Sequence, residues 1–195
     1  FKRTSIRRIS IPRKVIIIGK ECFIDCNDIQ KVEFEKNSQL RIIDDNTFTN
    51  CPFTKISIPS NVIRIGDNSF AHCGEFKTVD FEKNSKLRII GQLAFTKTSL
   101  EKIRIPSTVV RICEKSFDSC IMLKCVEFDK NSELEVIENS AFSETLIESF
   151  TVPSNVKQIQ ENAFSKCKNL TDFDLSKDLK IHSIPSLFLQ SSITC

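Results

Sequence analysis

The chain has 195 residues, 40% apolar and 27% charged, with only four Gly and six Pro, enough to bury a substantial core as one domain or one segment of an array. A net charge of +3, read as evenly mixed along the chain, predicts neither nucleic acid nor an anionic membrane as a partner. No apolar run approaches the ~20 residues that cross a bilayer, and neither a signal-peptide pattern nor a Met opens the sequence, which reads as a fragment.

From the first residues onward one short apolar pattern, L-x-x-L-x-L in generic form, recurs. It reads Ile6-Ile9-Ile11, Ile29-Val32-Phe34, Phe53-Ile56-Ile58 and Phe76-Val79-Phe81 in the first half. Leu100-Ile103-Ile105, Leu123-Val126-Phe128, Ile147-Phe150-Val152 and Leu170-Phe173-Leu175 continue it. Period-2 alternation of β-branched and aromatic residues predicts short strands with one buried face, near 9–11, 32–34, 56–58, 79–81, 103–105, 126–128, 150–152 and 173–175.

Two kinds of segment follow these strands in alternation. In one, a Pro (Pro12, Pro59, Pro106, Pro153) closes the strand because it cannot donate to a ladder. Inward positions such as Val62, Ile65 and Phe70 come next. In the other, an Asn-Ser turn (Asn37-Ser38, Asn84-Ser85, Asn131-Ser132) leads to Leu40, Ile43, Phe48 and their counterparts. Segments such as Asp67–Ala71 are expected to form short helical or 3₁₀ turns capped by Asp or Asn.

The whole pattern repeats every 47 residues as two alternating coils of 23–24, so eight coils span residues 1–195. About six apolar side chains per coil, worth roughly 1.5–3 kcal/mol each, do not offset ~1–2 kcal/mol of backbone ordering per residue. Coils must therefore stack and share a core. Phe1 aligns with Phe48, and Ser192–Cys195 with Thr145–Glu148, so both ends fall in mid-coil and further repeats are expected beyond them. The eighth coil diverges, with Asp178 in place of the Asn and Pro185 in a core column.

The combination L-x-x-L-x-L-P-x-x-V-x-x-I-x-x-x-x-F-x-x-C, best matched from Ile56 through Ile58-Pro59, Val62, Ile65 and Phe70 to Cys73, resembles the BspA-like class of leucine-rich repeats. That class occurs in surface antigens of bacteria and protozoan parasites. The resemblance implies an α/β, right-handed leucine-rich-repeat solenoid with parallel strands on its concave side and short helical or 3₁₀ turns on its convex side. It further implies a cell-surface or secreted protein that attaches to host cells or matrix proteins, without cofactor. An intracellular assembly scaffold built from the same repeats is the alternative.

Candidate sites are few. Cys26, Cys51, Cys73, Cys120 and Cys167 share one column, in which Thr98 and Thr145 stand elsewhere. Cysteines two coils apart lie about 9–10 Å from one another, beyond the ~7 Å reach of a disulfide, so buried thiols acting as small hydrophobes are expected. Cys22-x-x-x-Cys26 lacks the second pair that zinc would need. With His72 and His182 far apart and no nucleophile beside a base, catalysis is not expected. The outward strand positions form the candidate binding face: Arg8, Lys31, Glu33, Lys55, Ser57, Asp80, Lys102, Arg104, Glu127, Thr151 and Asp174. They read as a basic ladder over the first five coils beside alternating acids, suited to a protein partner. Asn169-Leu170-Thr171 is a single glycosylation sequon.

Overall fold

The computed structural model describes residues 1–175 together with Leu179 and Ile181; the expectations at Asp178, His182, Pro185 and Ser192–Cys195 lie outside the described residues. Long and short strands alternate along the chain. The long ones are β1 (Arg8–Ile11), β3 (Lys31–Phe34), β5 (Lys55–Ile58), β7 (Thr78–Phe81), β9 (Lys102–Ile105), β11 (Cys125–Phe128), β13 (Ser149–Val152) and β15 (Asp172–Leu175). The short ones are β2 (Ile17–Ile18), β4 (Ile42–Ile43), β6 (Arg64–Ile65), β8 (Ile89–Ile90), β10 (Arg111–Ile112), β12 (Val136–Ile137) and β14 (Gln158–Ile159). Every pairing is parallel, between successive coils, so the chain is a parallel β-solenoid.

The long strands do not form one continuous sheet. β1–β3, β5–β7, β9–β11 and β13–β15 pair over all four residues. β3–β5 and β7–β9 form no ladder, and β11–β13 meet only at Cys125 and Ser149. The complete pairs follow 23-residue steps and the open joints follow 24-residue steps. Two features of sequence account for this. Within a pair, the N–H after the second strand closes the ladder, as Glu35 donates to Ile11 O at 3.1 Å and Glu82 to Ile58 O at 3.1 Å. At a joint, that position is Pro59, Pro106 or Pro153, which has no N–H. The coil before each joint also carries the longer Asn-Ser turn. There Asn37, Asn84 and Asn131 take φ of 58–59°, and Ser38, Ser85 and Ser132 Oγ accept the N–H of Leu40, Leu87 and Leu134 at 3.3 Å.

Two further ladders, absent from the sequence expectation, bind the coils together. The short strands form a continuous seven-stranded sheet whose inward residues, Ile18, Ile43, Ile65, Ile90, Ile112, Ile137 and Ile159, are all buried. The third ladder replaces the expected helical turns: the described residues contain strands and turns but no helix, so the α component of the α/β expectation is not realised. Between Glu21 and Lys166, seven pairs of residues four apart, such as Asn68 and His72 or Leu93 and Lys97, adopt φ of 54–60°. A left-handed residue every fourth position breaks any run of i→i−4 bonds. Alternate N–H groups instead cross to the next coil. Asn68, Phe70 and His72 donate to Gln92, Ala94 and Thr96 carbonyls at 2.8–2.9 Å, while Ser69 and Ala71 close local turns.

The Phe between each left-handed pair points inward, and these rings stack into a spine. Phe1, Phe23, Phe48, Phe70, Phe95, Phe117, Phe142 and Phe164 follow one another at centroid distances of 5.2–5.5 Å with interplanar angles of 14° or less. Such pairs contribute about 0.5–1.5 kcal/mol each beyond area burial. Beside the spine runs the cysteine column. The thiols of Cys51, Cys73, Cys120 and Cys167 donate to the carbonyls of Phe23, Phe48, Phe95 and Phe142 in the preceding coil at 3.0–3.1 Å. The small-hydrophobe reading is thus incomplete: these thiols are buried and free, and they also satisfy spine carbonyls. Thr98 and Thr145 stand in the same column and donate to Phe95 O and Phe142 O at 2.9 Å.

One side chain breaks this economy. Ser69 is fully buried, and its Oγ is the one such atom among the described residues with no hydrogen-bond partner. The same column holds Ala94, Ala141 and Ala163, all fully buried. Ser69→Ala is therefore expected to stabilise the chain by about 1 kcal/mol, the low end of the cost of an unsatisfied buried hydroxyl. A thermal melt checks it: an unchanged or lowered Tm would mean that the hydroxyl is satisfied in solution.

Candidate functional site

The outward residues of the long strands gather on one face of the array. Strand register sets Arg8 beside Lys31, Ser57 beside Asp80, Arg104 beside Glu127, and Thr151 beside Asp174. All eleven candidate residues are exposed except Glu127, which is half-buried. They are brought together two coils at a time, because the open joints separate one pair of columns from the next.

The charge pattern differs from a plain basic ladder. Lys31 Nζ lies 2.6 Å from Glu33, and Lys102 Nζ lies 2.6 Å from Glu127 on the adjacent strand. Arg104 Nε lies 2.6 Å from Asp129, just past the end of β11. The hydrogen bond from Lys102 holds the Glu127 carboxyl below its usual range and raises Lys102, and the bond to Asp129 raises Arg104 in the same way. Arg8, Lys55 and Asp80, by contrast, make no ion pair among the described residues. Asp174 likewise makes no ion pair among the described residues, so the ladder's net field comes from these four and not from the whole column.

The two joints without any ladder, β3–β5 and β7–β9, are grooves, and neither was foreseen. Between β3 and β5 lies a cavity of about 580 Å³ lined by Arg8, Lys31, Glu33, Phe34, Lys55, Ser57, Asp80 and Glu82. Between β7 and β9 lie two more, of about 430 and 790 Å³, lined by Thr78, Asp80, Lys102 and Arg104 and by Phe81, Glu82, Lys83 and Pro106 among others. Asp80 borders all three. Phe34 and Phe81, the last residues of β3 and β7, are half-buried on the walls of these grooves, whereas Ile58 and Ile105 at the same strand position are fully buried. The usable signal in the sequence was the alternation of 23- and 24-residue steps together with the prolines at Pro59 and Pro106.

The fold has relatives of known structure. A Treponema pallidum leucine-rich-repeat protein superposes with a TM-score of 0.60 at 23% identity, covering 84% of this chain and 64% of its own. A leucine-rich cell surface protein of Faecalibacterium prausnitzii superposes with a TM-score of 0.53 at 21% identity, covering 91% and 64%. The pneumococcal vaccine antigen PcpA does so with a TM-score of 0.52 at 20% identity, covering 94% and 65%. The chain thus spans just under two thirds of each of these structures, and the likeness is one of fold. No curated protein matches it in sequence. The family described as "BspA type Leucine rich repeat region" matches in six copies over residues 1–124 and 88–194, essentially the whole chain. Three inter-coil ladders, a spine built once per coil and this end-to-end match all describe one repeat, and the chain belongs to the BspA-type leucine-rich-repeat family.

Proposed function

We propose that the chain is a protein-binding segment of a cell-surface or secreted protein and that its long-strand face is the concave surface that takes the partner. The observation that carries this is the convergence of three grooves on Asp80, an exposed carboxylate without an ion pair, with Lys55 and Arg8 equally free at the rim of the first groove. Charged groups that the protein does not neutralise itself are available to a partner, and the half-buried Phe34 and Phe81 offer apolar anchors beside them. Repeat arrays of this family are in general protein-interaction scaffolds, not enzymes. The names of two structural neighbours, a vaccine antigen and a cell surface protein, support an exterior location.

An intracellular scaffold is the second reading, favoured by one fact: all eight described cysteines are free thiols. Burial weakens that argument, because it raises the pKa of Cys51, Cys73, Cys120 and Cys167 and leaves them poor nucleophiles in any compartment.

An antibody to this chain should label intact, unpermeabilised source cells; labelling only after permeabilisation would overturn the exterior reading. For the face itself, binding to a panel of purified extracellular-matrix proteins is compared between the native chain and Lys55→Glu/Asp80→Lys. The double charge reversal is expected to weaken binding at least ~10-fold, as for a desolvated interfacial charge pair, while the Tm stays within about 2 °C because both residues are exposed. Unchanged affinity would remove the face from consideration.

A further inference from the structure

The charge of the chain is not evenly mixed. Residues 1–20 hold seven Lys and Arg and no Asp or Glu, and the remaining 21 basic and 25 acidic residues leave residues 21–195 at net −4. Two of the seven are neutralised by the second coil, Lys2 by Glu21 at 2.7 Å and Arg3 by Asp25 at 3.3 Å. Arg7, Arg8, Arg13, Lys14 and Lys20 are exposed and make no ion pair among the described residues.

The repeat does not require these cations. One, two and three 47-residue periods on, Arg7 is matched by Thr54, Glu101 and Glu148, and Lys20 by Asp67, Glu114 and Glu161. Arg13 is matched by Ser60, Ser107 and Ser154, and Lys14 by Asn61, Thr108 and Asn155. At these four positions acids or neutral residues suffice elsewhere for the same backbone, so the four are a property of the first coil and not of the fold; Arg8 alone has basic counterparts, Lys55 and Lys102, before Ser149.

Placement narrows the occupant. Arg8 points out from β1, Arg13 and Lys14 occupy the turn after Pro12, and Lys20 lies past β2, so the cations pass around successive sides of one coil. A flat bilayer would meet one side only. Single-stranded nucleic acid needs aromatic faces on which successive bases stack; the chain has no Trp or Tyr, and Phe1 of this coil, stacked on Phe23 by one face, offers a single further face and no series of them. A flexible linear polyanion follows such a path, and guanidinium groups pair with its planar or tetrahedral anions through two hydrogen bonds at once.

We propose that the first coil binds a sulfated polysaccharide through Arg7, Arg8, Arg13, Lys14 and Lys20, at a surface that shares only Arg8 with the long-strand face.

Heparin is the probe. The 195-residue chain is expected to be retained on immobilised heparin and to elute at higher NaCl than from a sulfopropyl matrix. Arg13→Glu/Lys14→Glu/Lys20→Glu should weaken heparin affinity at least ~10-fold, whereas Lys97→Glu/Lys124→Glu/Lys130→Glu, the same change of net charge on later coils, should stay within about twofold. Equal shifts in the two variants would reduce the effect to overall charge and overturn the proposal. So would tighter binding of an oligonucleotide or of phosphatidylserine vesicles than of heparin at 0.15 M NaCl. As a readout on the native chain, heparin should protect Lys14 and Lys20 from acetylation and leave Lys97 and Lys130 reactive; lack of protection would overturn it independently of any variant. A positive result leaves the concave-face reading untouched, and a negative one does not weaken it.

Discussion

Phe95→Ala is expected to cost about 3–5 kcal/mol and to lower the Tm by roughly 6–20 °C for a chain of this size. Phe95 is fully buried at the centre of the spine, 5.2 Å from both Phe70 and Phe117 and 6.2 Å from Phe76. Truncation removes two stacked contacts and opens a cavity that the rings on either side cannot close, because each is held by its own inter-coil bonds. In a quasi-one-dimensional array, each coil rests on its neighbours alone, so the loss falls on the coupling between the two halves. Calorimetry should therefore show a second transition as well as a lower midpoint. Phe1→Ala is the comparison: Phe1 is 62% exposed and stacks on one side only, so its loss should move the Tm by a few degrees at most. A single transition within about 2 °C of the native chain for Phe95→Ala would show that the ladders, not the rings, couple the coils.

A second large effect is expected in alkali. Burial pushes the Cys73 thiol from 9.0 up to about 12 and the Cys120 thiol up to about 11, and it raises Cys51 further still. Below pH 9 both native and unfolded chains hold these protons, and stability does not depend on them. Between pH 9 and about 12 the unfolded chain releases them while the native chain does not, so the free energy of unfolding falls as pH rises. At about 1.36 kcal/mol per pKa unit, Cys73 alone accounts for a loss on the order of 4 kcal/mol across that window. Denaturant melts at pH 8, 9, 10 and 11 should show a falling midpoint. Cys73→Thr/Cys120→Thr, which copies Thr98 and Thr145 of the same column, should flatten the fall above pH 9. Parallel curves for the native and variant chains would assign the alkaline loss to groups other than these thiols.

The parts of this fold that were legible in the sequence are those where burial imposes a period. Val79 and Phe81 alternate with outward Thr78 and Asp80, and Phe48, Phe70 and Phe95 recur once per coil because each must meet the ring before it. The short strands gave no such signal: two residues such as Arg64–Ile65 hold a single inward side chain, too few for an alternation. The helical expectation failed for a related reason. Left-handed backbone is usually announced by Gly or Asn, but here Leu93, Lys97, Lys115, Glu144 and Lys166 adopt it. Leu93, Lys97, Lys115 and Glu144 are held so by bonds to the next coil, which a single coil's sequence cannot display. At the candidate face the residue types were legible and their state was not: Lys102 is paired because the register brings Glu127 of the adjacent strand within reach, while Lys55 makes no ion pair among the described residues.

The alternation of closed pairs and open joints also bears on how such an array changes length. Removing 47 residues, for example from Pro59 through Ile105, brings Ile58 to Pro106 and restores the same order of strand types on both sides of the cut. Removing a single coil of 23 residues would instead set two coils of one kind side by side, either two proline-ended strands with no closing N–H between them or two Asn-Ser turns competing for one flank. The pair of coils is therefore the indivisible unit of inheritance for this array, and natural variants of its length should differ by whole pairs.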